Sequence, residues 1–280
     1  MIACKTRIGY GAPTIEGTGK AHGGPYGASE IEGIRKNIGW DHAPFVVPED
    51  VLTTWREAGA RGAATRTEWE GRLAASDKQA EFTAAMDRVI PAELADVMKA
   101  HKQAVSNGQE KKATRQWSGA ALEVATKVLP TMIGGSADLT GSNNTKTSST
   151  GPLTSGDYAG RYIHYGVREH GMASAMNGMA LHGGVIPYSG TFFVFSDYSR
   201  AAIRLGALMG TPVIHVMTHD SIGLGEDGPT HQPVEHLASF RAMPNINVFR
   251  PADGVETAEC WELALARTDG PSMMVLTRQG

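Results

Sequence analysis

Residues 218–233 carry the sequence THDSIGLGEDGPTHQP, which places the imidazoles of His219 and His231 and the carboxylate of Asp227 in one short loop. An apolar run at 211–217 comes directly before this loop and predicts a buried parallel strand. Open α/β sheets bind ligands at the carboxyl ends of their strands, so the loop is predicted to hold a polar ligand. The histidines lack HExxH spacing and cysteine partners, which disfavours zinc and favours proton transfer or hydroxyl binding.

Glu169 stands where a helix is predicted to begin, in the sequence YGVREHGM at 165–172. Met172 and Met176 follow at helical spacing and are predicted to face a core. Glu169 is therefore predicted to lie near the boundary between the buried core and the solvent-exposed surface. The helix dipole would hold the side chain ionised, whereas burial would favour its protonated form and suit it to sharing a proton. The sequence leaves both interpretations open.

The segment GTFFVFSDY at 190–198 gathers Phe192, Phe195 and Tyr198 immediately after a predicted strand. Such a cluster indicates either core packing or a stacking pocket for a planar heterocycle at the edge of the sheet. Asp138, in GGSADLT at 134–140, has a similar pair of interpretations. It is either a turn or helix-cap acid, or it faces a cationic ligand across the same crevice.

Arg115, Ser142 and Arg278 are individually typical of solvated surface positions. Together they could bind a phosphate or the end of a sugar, because the guanidinium fork matches phosphate oxygens. No residue of the chain is assigned as a metal ligand.

The composition excludes several classes of protein. The chain has 280 residues, 41% of them hydrophobic, which is enough for a sizeable core. Its net charge of −3 and the absence of a basic tract interleaved with aromatics argue against a nucleic-acid partner. Only Cys4 and Cys260 are present, which favours a reducing cytoplasm. No apolar run approaches the roughly 20 residues of a membrane helix, so no membrane partner is predicted.

The order of predicted elements indicates an α/β fold with a parallel sheet flanked by helices and preceded by a helical linker. A glycine-rich start is predicted to form a long loop after a short strand, and residues 48–112 have the spacing of amphipathic helices. Strands are predicted at 131–134, 162–165, 185–188, 213–217, 247–249 and 272–276. Helices are predicted at 28–39, 116–129, 168–182, 197–209 and 253–267.

Six sequence words, in family order across nearly the whole chain, closely resemble the middle part of transketolase. The words are IGYGAP at 8–13, KAHG at 20–23, GGSADLT at 134–140, GVREH at 166–170, THDSIG at 218–223 and GEDGPTHQP at 225–233. The resemblance implies a thiamine-diphosphate enzyme that moves a two-carbon ketol unit from a ketose phosphate to an aldose phosphate in the pentose phosphate pathway. It also implies a homodimer, with the cofactor held between subunits.

The resemblance implies a role for each candidate residue. Glu169 would share a proton with the aminopyrimidine ring of the cofactor and start the reaction. The cofactor would also be contacted by Phe192, Phe195 and Tyr198 at the pyrimidine, by Asp138 near the thiazolium, and by His22 near the diphosphate and the reacting carbons. Oxygens near the substrate carbonyl would be bound by His231 and Asp227. The sugar-phosphate tail would be held by Arg115, Ser142, His219 and Arg278.

By the same resemblance, residues 1–47 match the end of the diphosphate-binding domain, 48–112 a helical linker and 113–280 the pyrimidine-binding domain. The family's segment that holds Mg²⁺ and its carboxyl-terminal domain have no match here. The chain is therefore expected to be a fragment that is inactive alone. A non-catalytic module that binds a partner or sugar phosphates is the alternative hypothesis. Another is a related thiamine enzyme acting on pyruvate or other 2-oxo acids, against which residues 225–233 and Arg278 favour transketolase.

Overall fold

The computed structural model describes all residues 1–280, which form two units, Met1–Ser76 and Asp77–Gly280. The first unit contains a single turn of 3-10 helix at Gly19–Ala21 and three helices. The helices are α1 (Ala28–Asn37), α2 (Glu49–Ala60) and α3 (Ala63–Ala74). None of the 280 residues lies in a helix long and apolar enough to cross a membrane.

The first 27 residues form the predicted glycine-rich loop, but the short strand predicted before it is wrong. A strand needs a neighbouring strand to satisfy its backbone N–H and C=O groups, and the first unit contains none. The loop is held to α1 by side chains instead. Glu30 accepts hydrogen bonds from the backbone N–H and the hydroxyl of Thr14 at 2.8 and 2.9 Å, and Asn37 donates to the carbonyl of Gly11 at 2.8 Å.

The second unit alternates helices with strands. Its helices are α4 (Gln79–Met86), α5 (Glu93–Gly108), α6 (Thr114–Val128), α7 (Thr140–Asn143), α8 (Glu169–His182), α9 (Ser196–Met209), α10 (His236–Arg241) and α11 (Gly254–Ala266). Its strands are β1 (Met132–Ser136), β2 (Tyr162–His164), β3 (Ile186–Phe192), β4 (Ile214–Thr218), β5 (Asn247–Phe249) and β6 (Ser272–Leu276).

The strands form one sheet in the order β2-β1-β3-β4-β6-β5, and every neighbouring pair is parallel. The predicted fold class is therefore confirmed. All carboxyl ends of the strands meet at one edge, which we call the carboxyl edge. β1, β3 and β4 end there at Ser136, Phe192 and Thr218, and they lie side by side in the sheet.

Helices cover both faces of the sheet, as a parallel sheet requires. On β4, Ile214 and Val216 pack in a core with apolar residues of α5, α6 and α11. Met217, which points to the opposite face, packs with apolar residues of α9 and α10. At the centre of the first core, the ring of Trp261 lies edge-on to Tyr188 at 5.8 Å, and its indole N–H donates to the hydroxyl of Ser118 at 2.9 Å.

His215, in the middle of β4, is fully buried, and neither of its ring nitrogens has a hydrogen-bond partner in the protein. Burial disfavours the charged ring and lowers the pKa of His215 from 6.5 to about 4. The imidazole is therefore neutral in the folded protein under conditions where it would be protonated in the unfolded chain.

Acid is expected to destabilise the fold through His215. Between pH 6.5 and 4 the unfolded chain binds the proton and the folded chain does not, so the free energy of unfolding falls as the pH falls through this window. The contribution of one such histidine at pH 4.5 is on the order of 2 kcal/mol. Urea unfolding at pH 7 and pH 4.5 measures it.

His215→Gln should reduce this pH dependence. His182→Gln, at the exposed end of α8, is the matched control and should leave it unchanged. An equal loss of stability with pH in wild type and His215→Gln would contradict the prediction.

Candidate functional site

The carboxyl edge carries two residues with an unusual backbone. Asp138, two residues after β1, has φ +62°, and His219, the residue after β4, has φ +61°. Residues other than glycine seldom adopt this left-handed conformation, and when they do the surrounding structure must hold them there. Both were candidates from sequence, and they lie where the loops after β1 and β4 leave the sheet, on either side of β3.

Glu169 is the first residue of α8, and its side chain is buried, with a residue exposure of 7%. It lines a cavity of about 730 Å³ together with Phe195, Tyr198 and residues 167, 168, 170 and 171. Arg168, the residue before the helix, is held by a hydrogen bond from its guanidinium to the carbonyl of Tyr165 at 2.8 Å. The start of α8 therefore presents a carboxylate to a cavity that has an aromatic wall.

Phe192, Phe195 and Tyr198, which we call the aromatic row, lie together. The rings of Phe192 and Phe195 are stacked at 5.6 Å with an interplanar angle of 14°, and Tyr198 lies 6.1 Å from Phe195. Phe192 ends β3, a turn of 3-10 helix at Phe193–Phe195 follows, and Tyr198 is in the first turn of α9. This strand–turn–helix connection explains why residues at spacings of three share one surface.

The aromatic row also contacts both histidines of the 218–233 loop. The ring of His219 stacks on Phe192 with a centroid distance of 3.7 Å. The ring of His231 lies edge-on to Phe195 at 5.3 Å and to Phe192 at 6.0 Å. Two groups of candidates that the sequence analysis took separately therefore form one cluster.

His219 is neutral at ordinary pH. Burial and, next, the positive charge of Arg115 lower its pKa to about 4, with Arg278 and His231 acting in the same direction and Asp227 opposing them. The second histidine, His231, is half-buried, and its Nδ1 lies 2.9 Å from the hydroxyl of Thr230.

Two guanidiniums approach the same cluster. Burial and the repulsion of Arg278 lower the pKa of Arg115, whose Nε is buried without a hydrogen-bond partner. Its Nη1 donates to the backbone carbonyl of Ser142 at 2.7 Å, and it has no carboxylate partner. Arg278 pairs with the exposed Glu226. Arg115 is thus half-buried, has an N–H without an acceptor and lies near the guanidinium of Arg278. A bound anion would stabilise this arrangement.

Four other residues predicted from the sequence are exposed or contact the site through their backbone. Asp138 and Asp227 are exposed, and Ser142 contacts Arg115 through its backbone carbonyl. His22 is exposed and follows the 3-10 turn of the first unit.

No metal ligand was assigned from sequence. Ligand atoms of Asp197, Glu235 and His236 lie within 4.8 Å of one another, but both acids are exposed and stand at helix starts. Helix N-termini stabilise carboxylates without a metal, so this group carries no assignment.

Sequence reasoning missed residues that position the site. Asp220, whose side chain is fully buried, accepts two hydrogen bonds from Arg250, from Nε at 3.0 Å and Nη2 at 2.8 Å. This pair ties the start of the 218–233 loop to the residue that follows β5. The sequence signal that could have indicated this pair is an arginine directly after a predicted strand, which places it at the same edge of the sheet as Asp220. Asn143, fully buried at the end of α7, carried no recognisable signal.

Two family models match the chain. The transketolase pyrimidine binding domain matches residues 110–280, and the transketolase thiamine diphosphate binding domain matches residues 1–95. A transketolase of Sinorhizobium medicae is 56% identical over 279 residues, which are 100% of this chain and 40% of the relative. A transketolase of Cereibacter sphaeroides is also 56% identical, over 100% of this chain and 42% of the relative. The chain thus spans about two fifths of the length of these curated relatives.

Solved structures give the same match. A crystal structure of a Pichia stipitis transketolase complex with sedoheptulose-7-phosphate has a TM-score of 0.89 and 40% identity, covering 98% of this chain and 41% of that one. A transketolase from Campylobacter jejuni has a TM-score of 0.85 and 39% identity, again over 98% and 41%.

Proposed function

Because this chain belongs to the transketolase family, we propose that it forms part of an enzyme that transfers a two-carbon ketol unit from a ketose phosphate to an aldose phosphate with thiamine diphosphate. The observation that carries the proposal is the cavity that Glu169 shares with Phe195 and Tyr198. It combines a buried carboxylate with aromatic rings, the two features that an aminopyrimidine needs from a protein. The residues present therefore fit the pyrimidine end of the cofactor.

When bound, thiamine diphosphate supplies the carbon nucleophile that carries the two-carbon unit. Glu169 is proposed to hold a proton at its carboxyl oxygen and share it with a nitrogen of the pyrimidine ring. The aromatic row would stack on the pyrimidine and exclude water from the carboxylate. His22 is proposed to contact the diphosphate end, and Asp138 the thiazolium.

The substrate is proposed to lie along the 218–233 loop. His231 and Asp227 would bind oxygens near the reacting carbonyl, with His231 held against the aromatic row. His219, Ser142, Arg115 and Arg278 would bind the sugar-phosphate tail. The repulsion between Arg115 and Arg278 supports this assignment, because a phosphate bound beside both guanidiniums would offset it.

The wider assignments are part of the same proposal. Residues 1–47 would be the end of the diphosphate-binding domain, 48–112 a helical linker that includes α2 to α5, and 113–280 the pyrimidine-binding domain. Mg²⁺ would accompany the diphosphate, and no residue of this chain is assigned to it. Exposed Leu181 on α8 and Leu205 and Leu208 on α9 support a homodimer, in which a second copy would bury them. Free Cys4 and Cys260 support a cytoplasmic role in the pentose phosphate pathway.

The test of the proposal is ketol transfer by the enzyme that carries this chain at its full natural length. Thiamine diphosphate and Mg²⁺ are added, and a ketose phosphate or pyruvate serves as the donor. Transfer from the ketose phosphate supports the proposal, whereas turnover of pyruvate alone would assign the chain to another thiamine reaction. A parallel calorimetric titration of the purified 280 residues with thiamine diphosphate, with and without the diphosphate-binding half, measures what this chain contributes to cofactor binding.

Arg115→Gln is expected to raise the KM for a ketose phosphate by about tenfold or more, since a charged hydrogen bond to phosphate contributes about 1.5–3 kcal/mol. The KM for an unphosphorylated ketose should change little. Steady-state kinetics on both donors separate the two effects. Arg241→Gln, at the exposed end of α10, is the control. An equal change in KM for both donors would show that Arg115 does not recognise the phosphate.

A further inference from the structure

A chain of hydrogen bonds crosses the carboxyl edge from the loop after β1 to the ring of His219. The backbone N–H of Leu139 donates to Ser136 Oγ at 3.0 Å, and Ser136 Oγ donates to Asn143 Oδ1 at 2.8 Å. Asn143 Nδ2 donates to Thr218 Oγ1 at 2.7 Å, and Thr218 Oγ1 lies 2.9 Å from His219 Nδ1. We call this set the polar chain. It joins the backbone turn that carries Asp138 to the histidine proposed to bind substrate.

The polar chain is sealed from solvent. Ser136, Asn143 and Thr218 are each 0% exposed and His219 is 3% exposed, so water cannot replace a missing partner. Gly190 on β3 makes this packing possible. A Cβ at position 190 would lie 3.0 Å from the Cβ of Asn143, closer than side-chain packing ordinarily allows. The amide of Asn143 is therefore held between β1 and β4 with little freedom to move.

The donors and acceptors of the polar chain run in one direction. The hydroxyl of Ser136 accepts from Leu139 and gives its single hydrogen to the amide oxygen of Asn143, which turns the amide NH₂ toward Thr218. The hydroxyl of Thr218 accepts from that NH₂, which leaves its own hydrogen available for Nδ1 of His219, 2.9 Å away. In this arrangement the hydroxyl hydrogens of Ser136 and Thr218 each have an acceptor, Asn143 Oδ1 and His219 Nδ1.

We infer that Thr218 and Asn143 are positioning residues that fix the tautomer of His219, with Nδ1 as the acceptor and the proton on Nε2. The ring plane is fixed as well, because it stacks on Phe192 at 3.7 Å. The same burial that lowers the pKa of His219 keeps the ring neutral, so the tautomer decides what its free nitrogen can do.

With the proton on Nε2, His219 is a hydrogen-bond donor and not a base. Nε2 of His219 has no hydrogen-bond partner in the protein, and the ring lies close enough to Arg115 and Arg278 to experience their positive charges. A neutral N–H beside two guanidiniums suits an oxygen acceptor, such as a hydroxyl or phosphate oxygen of a sugar phosphate. Only the identity of this acceptor rests on the proposed function; the tautomer does not.

Thr218→Val tests the inference, because valine keeps the shape of threonine and removes the hydroxyl. Thr191→Val is the matched control, since Thr191 is equally buried and its hydroxyl has no hydrogen-bond partner. Both are made in the enzyme at full natural length. The tautomer of His219 is read at pH 7.5 from ¹⁵N-histidine NMR shifts, with His219→Gln for assignment, and independently from neutron diffraction of deuterium-exchanged wild-type crystals.

The wild type should carry the proton on Nε2 alone. Thr218→Val should give a mixture of tautomers and raise the KM for a ketose phosphate by about three- to tenfold, the effect of one neutral hydrogen bond. Thr191→Val should leave the tautomer and KM unchanged. A proton on Nδ1 in the wild type, or an unaltered tautomer in Thr218→Val, overturns the inference. If Thr218→Val does not fold, the wild-type neutron result decides. If the wild-type enzyme shows no ketol transfer, the proposed function is wrong. The NMR and neutron measurements of the His219 tautomer still test the inference in that case.

Discussion

Glu169→Gln is expected to lower the kcat of ketol transfer by about a thousandfold or more, which corresponds to about 4 kcal/mol of barrier. Glutamine keeps the size of the side chain and its place in the cavity with Phe195 and Tyr198. It cannot hold or release a proton at neutral pH, so the group proposed to share a proton with the pyrimidine is lost. Steady-state rates of the full-length enzyme, with thiamine diphosphate and Mg²⁺ in excess, provide the measurement.

Glu93→Gln is a close control for this substitution. Glu93 is the first residue of α5, as Glu169 is of α8, but it is exposed. Both changes remove one negative charge from a helix start, where the dipole contributes typically less than 1 kcal/mol to stability. Comparing them separates the loss of a proton-sharing group from the loss of a helix-start charge. A near-normal rate in Glu169→Gln would remove Glu169 from its assigned role.

Trp261→Ala is expected to lower the free energy of unfolding by about 3–5 kcal/mol, the usual cost of truncating a fully buried aromatic residue. The ring of Trp261 fills the core between the sheet and α6, lies edge-on to Tyr188 and hydrogen bonds to Ser118. Alanine would leave a cavity and an unpaired buried hydroxyl. Urea unfolding followed by circular dichroism measures the change.

Leu263→Ala, two residues further along α11, provides the comparison. Leu263 is 58% exposed, so its truncation should cost at most about 0.5 kcal/mol. A similar decrease in the free energy of unfolding in the two variants would mean that packing around Trp261 does not contribute as predicted to the stability of this protein.

The strands were predictable where apolar runs are uninterrupted. β4, β5 and β6 lie within a residue of the predicted ranges. For β4 and β6 the reason is that every residue of the strand is buried, as in the interior of a parallel sheet, whereas β5 lies at the edge and is only partly buried. β3 was predicted to end at 188 but continues to Phe192. The small residues at 189–191 break the apolar pattern, yet they are buried and paired with β4. Pairing with a neighbouring strand, which no local pattern contains, decides where this strand ends.

The sequence supplied the candidate residues, but it could predict only part of how the structure arranges them. The sheet topology explains why the loops after β3 and β4 meet, so a cluster of Phe192 with His219 could be expected from strand order. The left-handed backbone of His219 and the hydrogen bond from Asn143 could not, since both depend on three-dimensional packing. Residues 48–112 were predicted as amphipathic helices, and the spacing alone does not show that Trp55 on α2 is 74% exposed.

The 218–233 loop has two parts. Its start, which we call the base, is anchored by hydrogen bonds, and the exposed residues that follow form its rim. Asp220 is fixed by Arg250, whereas Ile222, Gly225 and Asp227 are largely solvent-accessible. If this loop binds the substrate as proposed, randomising the rim in a mutant library would alter which acceptor aldehydes fit, while the anchored base and the cavity of Glu169 stay intact. On the proposed function, directed evolution toward longer or uncharged aldehydes should begin at the exposed positions 222, 226 and 227 and leave the fully buried Leu224 unchanged.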